Sequence, residues 1–165
     1  MDGDTCDEEP DVRIGGLSLW VLSYERPALG YYFDDNWLNV LMRVETPHAL
    51  VEKAGAFLRT DELAAFYDEL EVVDRELAGS AALQTAEETL DVKIALSNLG
   101  DIKVSVECDF ENPVQRHHFV FEIDQSYLPG ILAGLRGILV DFPVIGSPPD
   151  EAGDTQRDPE QDKVK

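Results

Sequence analysis

The sequence predicts an α+β protein: an antiparallel sheet of about six strands with two amphipathic helices on one face. Three observations carry the prediction. Apolar and polar residues alternate strictly in several short segments, which is the pattern of a strand with one buried and one wet face. Two longer segments instead repeat apolar residues every three to four positions, the stripe of a helix lying on a core. The order of these segments, β-β-β-α, then occurs twice, over about 16–79 and 88–142.

In the first unit, Leu17, Leu19 and Val21 alternate with Ser18, Trp20 and Leu22, an apolar mixture that suits a strand covered on both faces. Leu38, Val40, Met42 and Val44 alternate with Asn39, Leu41, Arg43 and Glu45 in a second strand, and a weaker third strand runs over 51–59. Thr60 is placed to cap the helix that follows, with Asp61 and Glu62 in its first turn, where carboxylates favour the positive end of the helix dipole. Leu63, Phe66, Tyr67, Leu70, Val73 and Leu77 form its apolar stripe, and Gly79 is the expected stop.

The second unit opens with Leu90, Val92, Ile94 and Leu96, then a tight turn at Asn98-Leu99-Gly100-Asp101 and a returning strand with Ile102, Val104, Val106 and Cys108 inward. After a loop around Asn112-Pro113, Phe119, Phe121 and Ile123 mark the last strand. Asp124 or Ser126 caps a helix carrying Leu128, Ile131, Leu132, Leu135, Leu139 and Phe142, with Pro129 in the first turn, where its missing N–H costs nothing.

Thirty-four acidic and thirteen basic residues give a net charge of −21. Residues 1–9 hold five acids and no base, and 148–165 six acids and three bases, so 23 acids and 10 bases belong to 10–147. The expected organisation is an acidic disordered tail over 1–10, a single domain over 11–145 and a second acidic disordered tail over 146–165. A body of this sign repels nucleic-acid phosphates and anionic membranes, so neither is an expected partner. The start lacks a basic segment followed by an apolar one, so no signal peptide is expected. The most apolar run, 128–145, is interrupted by Arg136 and Asp141, so no membrane span is expected either. With two cysteines, Cys6 and Cys108, a disulfide framework is not expected, and a reducing, cytoplasmic setting is.

The familiar chemical signatures do not assemble. Adjacent His117 and His118 lie in a strand and face opposite ways, so they cannot share a metal ion, and the acids around Asp34 lack the glycine of a calcium loop. Gly16-Leu17-Ser18-Leu19-Trp20 misses the last glycine of a nucleophile elbow. The helix acids share a solvated polar face instead of opposing one another across a cleft, as carboxylate-pair hydrolysis requires. No catalytic residue, metal or cofactor is therefore expected, and a non-enzymatic role follows.

One segment is crowded: Tyr31-Tyr32-Phe33-Asp34-Asp35-Asn36-Trp37-Leu38 places aromatics, two acids and an amide at the entrance to a strand. An Asx turn at Asp34 or Asp35, with Trp37 plugging the end of the core, accounts for it structurally. The segment also resembles the WapI-like immunity proteins of bacterial polymorphic toxin systems. They carry a Y-x-D-N-W-L stretch entering a strand, then an apolar strand running into an acidic-led helix, as Phe57 through Leu63 does here, and close on a strand, an acidic cap and a helix. In order of elements the likeness spans about 12–143.

The resemblance implies a small protein that binds a cognate toxin domain and blocks it. Where that toxin is a nuclease, its phosphate-binding surface is basic, and an acidic protein meets it with favourable steering. The expected partner-binding residues are Asp34, Asp35, Asn36, Trp37, Asp61, Glu62, Asp68 and Glu69. The competing expectation is a homo-oligomer that pairs exposed strand edges and has no toxin partner.

Overall fold

A computed structural model describes residues 8–110 and 114–149. Cys6, Asn112-Pro113, most of the 1–10 segment and the greater part of the 146–165 segment lie outside them. Among the described residues there are eight strands: β1 (Val12–Ile14), β2 (Leu17–Tyr24), β3 (Trp37–Thr46), β4 (Ala49–Arg59), β5 (Gly79–Gln84), β6 (Leu90–Leu96), β7 (Asp101–Phe110) and β8 (Gln115–Asp124). Three helices accompany them: the single turn α1 (Tyr32–Asp35), α2 (Thr60–Glu76) and α3 (Leu128–Asp141).

The strands form two antiparallel four-stranded meanders, β1-β2-β3-β4 and β5-β6-β7-β8, where the sequence predicted one sheet of about six. The α+β class and the antiparallel pairing hold; the strand count and the β-β-β-α repeat do not. Each unit is instead four strands and a closing helix, with α1 inserted between β2 and β3. The two missed strands explain the error. β1 has three residues, too few to show a period, and β5 (GSAALQ) is built from small residues directly behind a helix, with little alternation to read.

Helix placement also differs from the expected common face of one sheet. The final strand of each meander leads directly, or through a single 3₁₀ turn, into its helix. That helix then runs alongside the first strand of the other meander, α2 beside β5 and α3 beside β1, and the two helices pack on each other. At Gly134 of α3 a Cβ would sit 2.6 Å from the Asp11 carbonyl, so only glycine allows this approach. Both sheets turn their alternating apolar residues toward one core. Leu17, Leu19, Leu38, Val40, Met42 and Val44 from the first sheet join Leu90, Ile94, Val104 and Val106 from the second, together with Phe66, Leu70 and Leu135 from the helices. A side chain of this size contributes about 1.5–3 kcal/mol when fully buried, so this shared core is the main source of stability.

Two local readings change. Thr60 is the first residue of α2, not its cap; its hydroxyl donates to the Phe142 carbonyl at 2.6 Å, while Arg59 occupies the cap position. Leu77, with φ 53°, ends the helix in the left-handed conformation, and Gly79 (φ +99°) already opens β5. Cys108 is buried in the core, and burial pushes its thiol up to about 12. His117 and His118 face opposite sides of β8, half-buried and exposed.

Candidate partner-binding surface

The crowded aromatic-acidic segment folds as a turn closed by its own carboxylate. Asp35 is buried and accepts hydrogen bonds from the Leu29 and Gly30 amides at 2.9 and 2.8 Å. These bonds, led by that from Leu29 and supported by Arg26, hold its carboxyl below the ordinary range in spite of burial. The local turn is α1, not an Asx turn. Asn36, fully buried, follows it. Its Nδ2 donates to the carbonyls of Tyr32 (2.6 Å) and Ile145 (3.0 Å), and its Oδ1 accepts from the Ile145 amide at 2.8 Å.

Asn36 therefore mimics a peptide group and pairs with the chain that leaves α3. Thr60 binds the same stretch through Phe142, and the Tyr24 hydroxyl donates to the Pro143 carbonyl. Three polar side chains of the first unit thus fasten 142–145 of the second.

The two predicted acidic segments meet at Arg59, a residue that no local sequence pattern marks. Its guanidinium lies over the rings of Phe33 (4.6 Å) and Trp37 (5.5 Å) and pairs with Asp61 at 3.1 Å and Glu62 at 3.5 Å. Trp37 is half-buried at the start of β3, directly opposite Arg59 on β4. Glu62 also accepts from the Arg59 and Ala86 amides at 2.9 and 2.7 Å, and burial pushes its carboxyl above the ordinary range against those bonds. About two turns along the helix, Glu69 accepts from the Ala82 amide at 2.9 Å and so caps the edge of β5.

The eight sequence-derived residues thus separate by environment. Asp35 and Asn36 are inside the protein, and Asp61, Glu62 and Trp37 are half-buried around Arg59. Glu69, though exposed, holds a backbone amide, whereas Asp34 is exposed and pairs with Arg26 at 3.0 Å. Asp68 stands exposed on the outer side of α2.

Beside Asp34 three large apolar side chains face solvent: Leu29 (66% exposed), Tyr31 (57%) and Phe33 (40%). On the outer side of α2, Asp68, Glu71, Val72 and Glu76 are exposed. Aromatic anchors beside carboxylates make a surface that can hold a partner by apolar burial and by charge. The aromatic crowding signalled Tyr31 and Phe33, but their exposure became visible only when Asp35 was seen to fold the turn beneath them.

A separate groove on the outer face of the second sheet is lined by Glu88, Asp91, Glu107, Asp109, Arg116 and His118. Burial raises the Asp91 carboxyl, and Glu107, Glu88 and Asp109 raise it further. Among the described residues no set of three or more His, Cys, Asp or Glu side chains is arranged to hold a metal ion, and no helix is long and apolar enough to cross a membrane.

Comparison with protein families matches residues 12–143 to the model described as the immunity protein WapI-like family. No curated protein and no solved structure matches this chain.

Proposed function

Since the chain belongs to the WapI-like immunity protein family, matched over residues 12–143, we propose that it binds a cognate toxin domain and neutralises it by occlusion. The partner is a basic protein domain, in the simplest case a nuclease. The contact surface is the turn 29–34 together with the outer side of α2. Asp34 and Asp68 are the residues of the sequence-derived set that lie outermost in this surface. Asp61, Glu62, Trp37 and the buried Asp35 and Asn36 support it from beneath.

The observation that carries this reading is the exposure of Leu29, Tyr31 and Phe33 beside acids on a turn that Asp35 holds rigid. A pre-ordered aromatic surface loses little conformational entropy on binding, and the α2 carboxylates add steering toward a basic partner. Occlusion needs no reacting group, which agrees with acids that are engaged in caps and ion pairs.

The test is co-expression with the product of the neighbouring gene, followed by affinity capture at low and high salt. Joint replacement Tyr31→Ala and Phe33→Ala should weaken binding by roughly a hundredfold, the effect of losing two anchors at about 1–2 kcal/mol each. Asp68→Lys should slow association and reduce its salt dependence, with a smaller effect on dissociation. A toxin captured equally well by the double variant would place the interface elsewhere. Capture that ignores salt would remove the electrostatic part.

A further inference from the structure

Among the described residues four strands lie at sheet edges, and three of them are protected. β1 is three residues long and runs beside α3. β5 runs beside α2, and the Glu69 carboxylate takes its Ala82 amide. β4 carries a register shift near Gly55 and turns Lys53, the residue opposite Met42, toward the inner side. An irregularity and an inward charge are standard ways of blunting an edge.

β8 has none of these devices. Among the described residues it pairs with β7 alone, through ten residue pairs in unbroken register, and it contains neither proline nor glycine. Its inner side chains, His117, Phe119, Phe121 and Ile123, stay half-buried, although their neighbours Ile102, Val104, Val106 and Cys108 on β7 are at most 1% exposed. Phe119 stacks on both His117 and Phe121, so the row forms an apolar ladder along the open edge. On the outer face Val120 is 48% exposed.

We propose that β8 pairs antiparallel with β8 of a second copy of this chain, about a twofold axis through Val120, joining two four-stranded sheets into one of eight strands. The charges on β8 select this partner and this register. With Val120 opposite itself, Arg116 faces Asp124 of the second copy and His118 faces its Glu122, each pairing made twice. Moving the axis one residue to Phe119 leaves His118 opposite valine, and moving it to Phe121 leaves Glu122 opposite valine.

The cross-strand neighbours fit the same register. Asp124 stands opposite Asp101 on β7, an unfavourable like-charge pair that an incoming Arg116 relieves. Arg116 itself is 3.4 Å from Asp109, so the row across the seam reads acid, acid, base, acid. The next row pairs Lys103 with Glu122, followed by His118 and Glu107 of the second copy. On the inner side Phe121 meets Phe119 of the second copy and Ile123 meets its His117, which covers the half-buried ladder on both molecules. The seam lies on elements other than the turn 29–34 and α2, so it does not depend on the toxin-binding reading.

The full chain in the absence of any toxin provides the test, by light scattering after size exclusion and by sedimentation. The expected result is a dimer with twice the 18.4 kDa chain mass. Val120→Glu, which brings two carboxylates together on the axis, should raise the dimer dissociation constant by about tenfold or more while circular dichroism and the melting temperature report an intact fold. Val120→Cys in a Cys6→Ser background should form an intermolecular disulfide, because residue 120 meets itself only in this register; Leu50→Cys on β4 should not.

A monomer at every concentration, or a dimer that survives Val120→Glu, overturns the proposal. So does a monomeric chain that loses toxin capture in the Val120→Glu variant, since the edge would then belong to a toxin strand. Loss of toxin capture in the Tyr31/Phe33 variant with the dimer retained supports both assignments separately.

Discussion

The helix that closes the first unit carries seven carboxylates and one arginine, whereas the helix that closes the second carries one of each among Gly, Ala, Leu, Ile and Val. Both perform the same architectural task, each running beside the first strand of the opposite sheet. They differ in what they present to water. In α2 the carboxylates cap the β5 edge, pair with Arg59 and leave Asp68 and Glu71 outward. In α3 small residues allow backbone to approach backbone at Gly134. The strands before the helices differ too, an irregular β4 with an inward lysine against a regular β8 with Phe119, Phe121 and Ile123 on its inner side. A repeated scaffold therefore does not imply a repeated surface: the first unit carries the acidic, aromatic face and the second the open edge.

That comparison depends on the two units being fastened, and Asn36 is where to break it. Asn36→Leu removes three side-chain hydrogen bonds and leaves the part-buried Ile145 amide and carbonyl and the Tyr32 carbonyl without these partners. Unsatisfied buried groups cost about 1–3 kcal/mol each and share relaxation, so a total loss of about 3 kcal/mol is expected in urea denaturation. The turn 29–34 should loosen as well, because Asn36 also holds the Tyr32 carbonyl.

Asn36 also shows how far the sequence could be read. Its position in Tyr32-Phe33-Asp34-Asp35-Asn36-Trp37-Leu38 marked the segment as unusual and carried the family resemblance. Its partner lies 109 residues away, however, and no local pattern encodes that contact. The two helices and the alternating strands were legible, because periodicity is written along the chain. The partition of strands into two sheets was not, since alternation shows which residues share a face and not which strands share an edge. Arg59 was overlooked for a related reason: a lone arginine at a strand end carries no signal until Phe33, Trp37, Asp61 and Glu62 converge on it.

The contrast between packed and open faces sharpens within α3 itself. An alanine Cβ at Gly134 would lie 2.6 Å from the Asp11 carbonyl and 3.0 Å from Val12, so helix and strand must separate. At Gly137 nothing lies within 4 Å of the added methyl. Gly134→Ala should therefore destabilise by about 1–2 kcal/mol, the overpacking cost less the gain in helix propensity, while Gly137→Ala should stabilise by about 0.5–1 kcal/mol. Thermal unfolding of the two variants side by side checks the sign. A shift in the same direction for both would mean that α3 is not held against β1.

The smallest expected effect concerns pH and sets the carboxylates of the two units against each other. Backbone amides hold the Asp35 carboxyl low, so its contribution is present above the ordinary carboxylate pKa and is lost as pH falls through its folded value. Asp91, in the second unit, is raised by burial and by Glu107, Glu88 and Asp109. Its folded form holds a proton more tightly than the unfolded chain does. Its contribution is therefore complete below the unfolded pKa, about 3.9, and is lost as pH rises through the folded value. Asp91→Asn removes the repelled charge at neutral pH without changing side-chain size. It should stabilise the protein at pH 7 by no more than about 0.5 kcal/mol, the range of a partly exposed site, and flatten the stability profile above pH 4. Melting temperatures of wild type and variant across pH 3.5–7 check this. A variant less stable than wild type at pH 7 would show that Asp91 acts mainly through hydrogen bonds to the Thr85–Asp91 turn, and that the acid groove of the second unit is not under electrostatic strain.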